Sequence, residues 1–191
     1  MKKRFYCLSV VLFSSIAFFM SSMVNLPTGY TFDAATSKIA WVSTSEDGKT
    51  HHGDLKFKSG TFQFDVKTLL SGFAYINMQS LTCKDIVDAG FNRELITEMR
   101  SDAQLNLLKY KEATFKIVKA KRLDVPEGQP NYDVNGLLKL KGIEIPVKFI
   151  ATIAMKKTNV TFKADFTVPK ATASLPYDLK LAFDINANTV K

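Results

Sequence analysis

The chain is poor in the residues that do most of the chemistry in proteins. Of its 191 residues only two are cysteine, two are histidine and one is tryptophan. Cys7 lies close to the N-terminus, so Cys83 stands alone in the body of the chain. A single thiol excludes an internal disulfide framework, and the fold must be held by its core. No Gly-x-Ser-x-Gly occurs and no histidine adjoins Cys83, so neither common nucleophile signature is present. Phosphate-binding glycine loops are also missing. Glycine and proline are sparse, at nine and six, and they punctuate the chain rather than fill it.

The two histidines, His51 and His52, are adjacent. In a strand, neighbouring side chains point to opposite faces, so the pair does not readily converge on one ion. His52 and Asp54 share a strand face, which leaves a metal or hydrolase site there as a minor alternative. A zinc site needs three or four ligands, and no further histidine is available. Acids such as Asp33, Asp65, Asp165 and Asp184 fall at turns or on polar strand faces, and no carboxylate pair is placed for acid–base work. The reading is a non-enzyme with no cofactor and no metal.

What the chain does have is apolar: 46% of its residues are hydrophobic and fifteen are phenylalanine. A domain of about 165 residues hides roughly 70% of its unfolded surface, so one sizeable core is within reach. Lys2, Lys3 and Arg4 precede a charge-free run from Phe5 to Met20. That run is short for a membrane span and has the layout of a secretory signal. The expected division is a signal peptide over 1–25 and one domain over 26–191, in an exported, periplasmic or secreted protein. A retained N-terminal anchor is the alternative.

The formal charge is +8, and removal of Lys2, Lys3 and Arg4 leaves +5. The lysines alternate with apolar residues, as at Lys56 and Lys58 or Lys139 and Lys141, which marks the wet face of strands. Export and the lack of a tight basic cluster argue against a nucleic-acid partner. Contact with an anionic membrane surface fits the charge.

Period two dominates the hydrophobic pattern, as in strands with one buried face. Phe62, Phe64 and Val66 alternate with polar residues, as do Phe115 and Ile117. The odd positions from Ile143 to Met155, the even ones from Val160 to Val168, and Leu179, Leu181, Phe183 and Ile185 repeat the pattern. Long strands with one apolar face predict a mainly β fold, an antiparallel sheet closed into a barrel. Turns are expected at Glu46-Asp47-Gly48, Ser59-Gly60, Pro126 to Pro130 and Lys156 to Asn159, with an irregular link from Pro169 to Pro176. Only Asp88 to Ser101 departs from period two. Phe91, Leu95 and Met99 recur every fourth residue beside Ile96, which predicts one amphipathic helix capped by Asp88 or Asn92.

An ordered series of short motifs runs through this pattern. Trp41 is followed by His51-His52-Gly53, Lys58-Ser59-Gly60, Gly72-Phe73 and Asn77-Met78. Ser101-Asp102, Lys109-Tyr110 and Ala113-Thr114-Phe115 come after the helix, then the run from Asn135 to Val147. The series resembles the YceI-like, polyisoprenoid-binding family over about residues 30 to 190. The resemblance implies an extended lipocalin-like antiparallel barrel of about eight strands with a short helix, located in the periplasm or secreted. It also implies an apolar, lipid-like ligand of the isoprenoid, quinone or fatty amide class held in the interior. Two places depart from the family pattern: Ala103 to Asn106 replaces an aromatic and acidic stretch, and the link from Val168 to Asp178 is short.

The interior wall, chosen by alternation, is Phe62, Phe64, Phe115, Ile117, Val147, Phe149, Phe162, Phe166 and Phe183. The same rings could instead fill the barrel themselves, since an eight-stranded barrel can be solid or hold one small ligand. That alternative is an envelope interaction protein without a ligand.

Overall fold

The alternating stretches do become strands. The computed structural model describes residues 26–126 and 128–190, so the expected signal segment lies outside the described residues. Among the described residues nine strands form: β1 (Thr28–Phe32), β2 (Lys38–Ser45), β3 (Thr50–Asp65), β4 (Thr68–Cys83), β5 (Glu112–Arg122), β6 (Tyr132–Leu140), β7 (Ile143–Met155), β8 (Asn159–Val168) and β9 (Tyr177–Thr189). Helix α1 (Ala89–Arg100) separates β4 from β5, and a second short helix α2 (Lys170–Ala173) lies in the link expected to be irregular. All strand pairs are antiparallel, and the sheet closes on itself because β3 pairs with both β2 and β4.

Nine strands make eight positions in the ring. β1 pairs with the far half of β3 (Thr28 opposite Phe64) and the tip of β9 (Phe32 opposite Ala187). β2 pairs with the near half of β3 (Ile39 opposite Leu55) and the start of β9 (Ser45 opposite Tyr177). The two are therefore successive halves of one barrel strand, broken at Asp33 to Ser37. The break is held by local hydrogen bonds. Asp33 accepts from the Ala35 amide at 3.0 Å, and the Ser37 hydroxyl takes the place of a backbone group in the ladder. It accepts from the Asn186 amide at 3.0 Å and donates to the Asn186 carbonyl at 3.2 Å. Ser37 is thus buried with its polar group satisfied, as burial requires.

Antiparallel order puts the connections at two ends. At the helical end lie the β2–β3 and β6–β7 turns, α1 and α2. At the terminal end lie the β3–β4, β5–β6 and β7–β8 turns, where the chain also enters at Leu26 and leaves after β9.

Ser59-Gly60 is not a turn. It lies inside β3, at a bulge where the β3–β4 register slips between Phe57 and Ser59. Gly60 faces inward, and a Cβ there would stand 2.3 Å from the Phe32 ring. The glycine is needed for that close approach, not for chain reversal. The reversal comes later, at Val66-Lys67, with Val66 at a φ of 52°. Val66 accordingly leaves the face it was expected to share with Phe62 and Phe64 and is 72% exposed.

The helix forms where expected, and Asp88 is its cap, accepting from the Gly90 and Phe91 amides at 2.8 and 3.0 Å. Its apolar stripe is only partly used. Met99 is buried and Leu95 and Ile96 pack on the core, but Phe91 is 66% exposed. Arg100 at the end of the helix donates to the Gln79 and Leu81 carbonyls of β4, and Leu105 and Leu107 are buried just after it, their amides bonded to the Met99 and Arg100 carbonyls.

Candidate ligand-binding interior

Eight converging strand faces make the bore. All nine residues assigned to the wall are buried, and all belong to one continuous core. β3 supplies Phe62 and Phe64; β5, Phe115 and Ile117; β7, Val147 and Phe149; β8, Phe162 and Phe166; and β9, Phe183. Strands of different sequence distance meet because the ring closes. Phe62 and Phe162 stack at 5.3 Å between centroids, and Phe149 stacks on Phe166 at 4.9 Å. Phe115 touches Phe166 at 6.1 Å and Phe183 edge-on at 5.5 Å. Offset and edge-on contacts of this kind stabilise by about 0.5–1.5 kcal/mol each beyond burial.

Sequence reasoning missed several members of this column. Phe32 lies 4.7 Å from Phe62 and 5.5 Å from Phe57, and Phe57 lies 5.3 Å from Phe183. They link the two halves of the ring network. Trp41 is fully buried, and its indole donates to the Thr82 carbonyl at 3.1 Å. Phe57 was hidden by the bulge, which shifts its parity against Phe62. The inward glycines were the available signal: a Cβ on Gly136 would stand 2.5 Å from the Phe115 ring.

The interior is neutral. Among the described residues the buried polar ones are Ser37, Ser43 and Gln104. The Tyr177 hydroxyl is buried without a protein partner, and burial, reinforced by the charge of Glu98, pushes its ionisation far upward. Burial likewise raises Tyr132, whose hydroxyl donates to the Lys67 carbonyl. Both places that depart from the family pattern are at the helical end. There Leu105, Ala173, Leu175 and Tyr177 are buried and close the barrel.

Among the described residues, cavities large enough for a small molecule lie outside the bore. One of about 540 Å³ runs between the end of β4 and α1, beside Leu81, Cys83, Asn92, Arg93 and Ile96. The other, about 480 Å³, sits over the outer faces of β2, β8 and β9, beside Lys38, Ala40, Lys163, Asp165 and Asp184. Of the nine wall residues only Phe183 borders either.

The alternative site at His52 and Asp54 is not assembled. Asp54 is ion-paired with Lys84. Asp85, which the sequence did not single out, takes the histidines instead. Its carboxylate meets His51 Nδ1 at 2.8 Å and the His52 amide at 2.8 Å, with His52 Nδ1 at 3.9 Å. Cys83 Sγ donates to the same carboxylate at 3.3 Å. Burial would raise the Asp85 carboxyl, but the bonds from the His52 amide, the His51 ring and the thiol outweigh it and hold it well below the usual range. Burial, aided by Asp85, raises the Cys83 thiol, which disfavours the reactive thiolate. No cluster of three or more potential metal ligands occurs among the described residues. Asp85 ties the start of β3 to the entry of α1.

Fold and interior together define a closed antiparallel barrel with an aromatic interior that, among the described residues, buries no charged side chain. The YceI-like domain matches residues 30–189, and the chain belongs to that family. Burkholderia cenocepacia BcnA is similar in structure, with 20% identity and a TM-score of 0.61 over 81% of this chain and 98% of the other. A polyisoprenoid binding domain from Saccharophagus degradans, implicated in plant cell wall breakdown, has 13% identity and a TM-score of 0.59 over 85% and 99%. A Campylobacter jejuni YceI protein has 16% identity and a TM-score of 0.55 over 71% and 84%. At these identities the likeness is one of fold. No curated protein matches the chain significantly.

Proposed function

We propose that the protein is an exported, non-enzymatic binder that takes an apolar, lipid-like molecule into the barrel. The observation that carries this reading is the neutral aromatic column, built from five strands and joined ring to ring. Such a lining recognises hydrocarbon and little else. Each buried CH₂ of a guest contributes about 0.8 kcal/mol, so an isoprenoid, quinone or fatty amide tail gains more with length. The rings touch across the bore, and a guest must part them; stacked pairs such as Phe149 and Phe166 separate by side-chain rotation without breaking a hydrogen bond. Family membership supports the reading, as does the polyisoprenoid binding ascribed to the Saccharophagus domain. Export to the periplasm or beyond rests on Lys2 to Arg4 and the apolar run Phe5 to Met20.

One observation favours a second reading. Rings already in contact describe a solid barrel, which would act through its surface. Native mass spectrometry of the protein isolated from a bacterial envelope, followed by organic extraction, separates the two. A stoichiometric apolar mass excess supports the binder and reveals the ligand class. A bare mass that takes up no added isoprenoid or quinone overturns it in favour of the solid barrel.

A further inference from the structure

The terminal end of the barrel gathers a charge that the rest of the surface neutralises. Lys67, Lys119, Lys121, Arg122, Lys156 and Lys157 are exposed there, and none has an ion-pair partner among the described residues. Within the same stretches (65–68, 119–131 and 156–158) the acids are Asp65, Asp124 and Glu127. Asp133, opposite Lys121 in the β5–β6 ladder, is held by Lys148 at 3.6 Å. The helical end is different. Its connections (45–50, 84–111, 141–142 and 169–176) carry eight bases against seven acids. There Lys49, Lys84 and Lys170 are paired with Asp47, Asp54 and Glu46.

Apolar side chains stand among those bases. Val66 occupies the tip of the β3–β4 turn with a φ of 52°, a conformation that costs a β-branched residue energy, and its side chain faces outward. Asn-Gly would make such a turn without strain, so a soluble turn was easy to encode. The β5–β6 ladder slips between Ile117 and Lys119, which throws Val118 and Lys119 together onto the outside. Leu26 and Val190 are exposed at the same end.

We infer that the terminal end docks on an anionic lipid bilayer, with these six bases against the head groups and Val66 in the interface. Attraction of basic side chains to an anionic leaflet strengthens binding by about fivefold each and fades with salt. Short apolar tips add depth without insertion. The inference is independent of what the bore contains, because none of these side chains faces it.

The test is co-sedimentation of the protein isolated from the envelope with vesicles of phosphatidylcholine alone or mixed with phosphatidylglycerol. Binding to the anionic vesicles, weak binding to the neutral ones and release by salt are expected. Lys121→Glu with Arg122→Glu should weaken anionic binding more than tenfold, by the same per-charge factor. Lys109→Glu at the helical end should leave it unchanged. Val66→Ser should weaken it a few-fold with the same salt dependence. All these residues are exposed, and unchanged melting shows that the variants fold. Equal binding to both vesicles, or equal losses from the two ends, overturns the inference. So does affinity for soluble heparin as high as for anionic vesicles, which would mark a general polyanion surface.

Discussion

The barrel wall and the α1 segment are joined by one chain but stabilised by different means. The wall turns an apolar residue inward at nearly every second position, and its rings interlock across the bore. The segment from Lys84 to Lys111 buries Met99, Leu105 and Leu107, packs Leu95 and Ile96 partly on the core, and is otherwise held by polar devices. Asp88 caps the helix, the Asn92 amide donates to the Cys83 and Ile86 carbonyls, and Asp85 grips both histidines of β3. A region with few buried apolar contacts opens at lower free energy than the core beside it.

Four substitutions sharpen this contrast. The largest effect is expected from Phe162→Ala, which removes a fully buried ring stacked on Phe62. A loss of about 3–5 kcal/mol is expected from denaturant melts. A loss no greater than that of an α1 variant would mean that the column is not the core.

Asp85→Asn comes next. It removes charged hydrogen bonds worth about 1.5–3 kcal/mol, and hydrogen exchange should quicken from Lys84 through α1 while the wall stays protected. Because the folded carboxyl is held below its unfolded value, its stabilisation is complete above about pH 4 and is lost as pH falls further. The gap between wild type and Asp85→Asn should therefore close in acid; a gap that widens would contradict the assignment.

Asp88→Ala should cost about 1 kcal/mol, seen as local exchange in the first turn of α1. Smallest is Phe91→Ser, expected within about 0.5 kcal/mol because the ring is already in water. A large loss there would show that the helix packs more tightly than its exposed stripe indicates.

The wall was legible because period two is a direct consequence of strand geometry. Ile145, Val147 and Phe149 could be assigned to one face without knowing any neighbour. Parity failed at the β3 bulge, which hid Phe57, and at the β3–β4 turn, where Val66 leaves the inner face. Ser59-Gly60 was misread because glycine serves both turns and close ring contacts, and only Phe32, far away in sequence, decides between them. The helix was legible from its four-residue spacing and cap. Which part of its stripe is covered depends on where β4 lies beneath it. Asp85 carried no sequence signal, since the histidine-bearing strand it grips is some thirty residues away.

By itself the sequence determined the barrel class, nine buried residues of its core and the absence of a familiar catalytic motif. These follow from local periodicity and residue chemistry. Tertiary structure decided that β1 and β2 share one strand position, that the phenylalanines meet in a single column, and that unpaired bases collect at one end. Those properties depend on register and closure, which bring together residues that no local pattern connects.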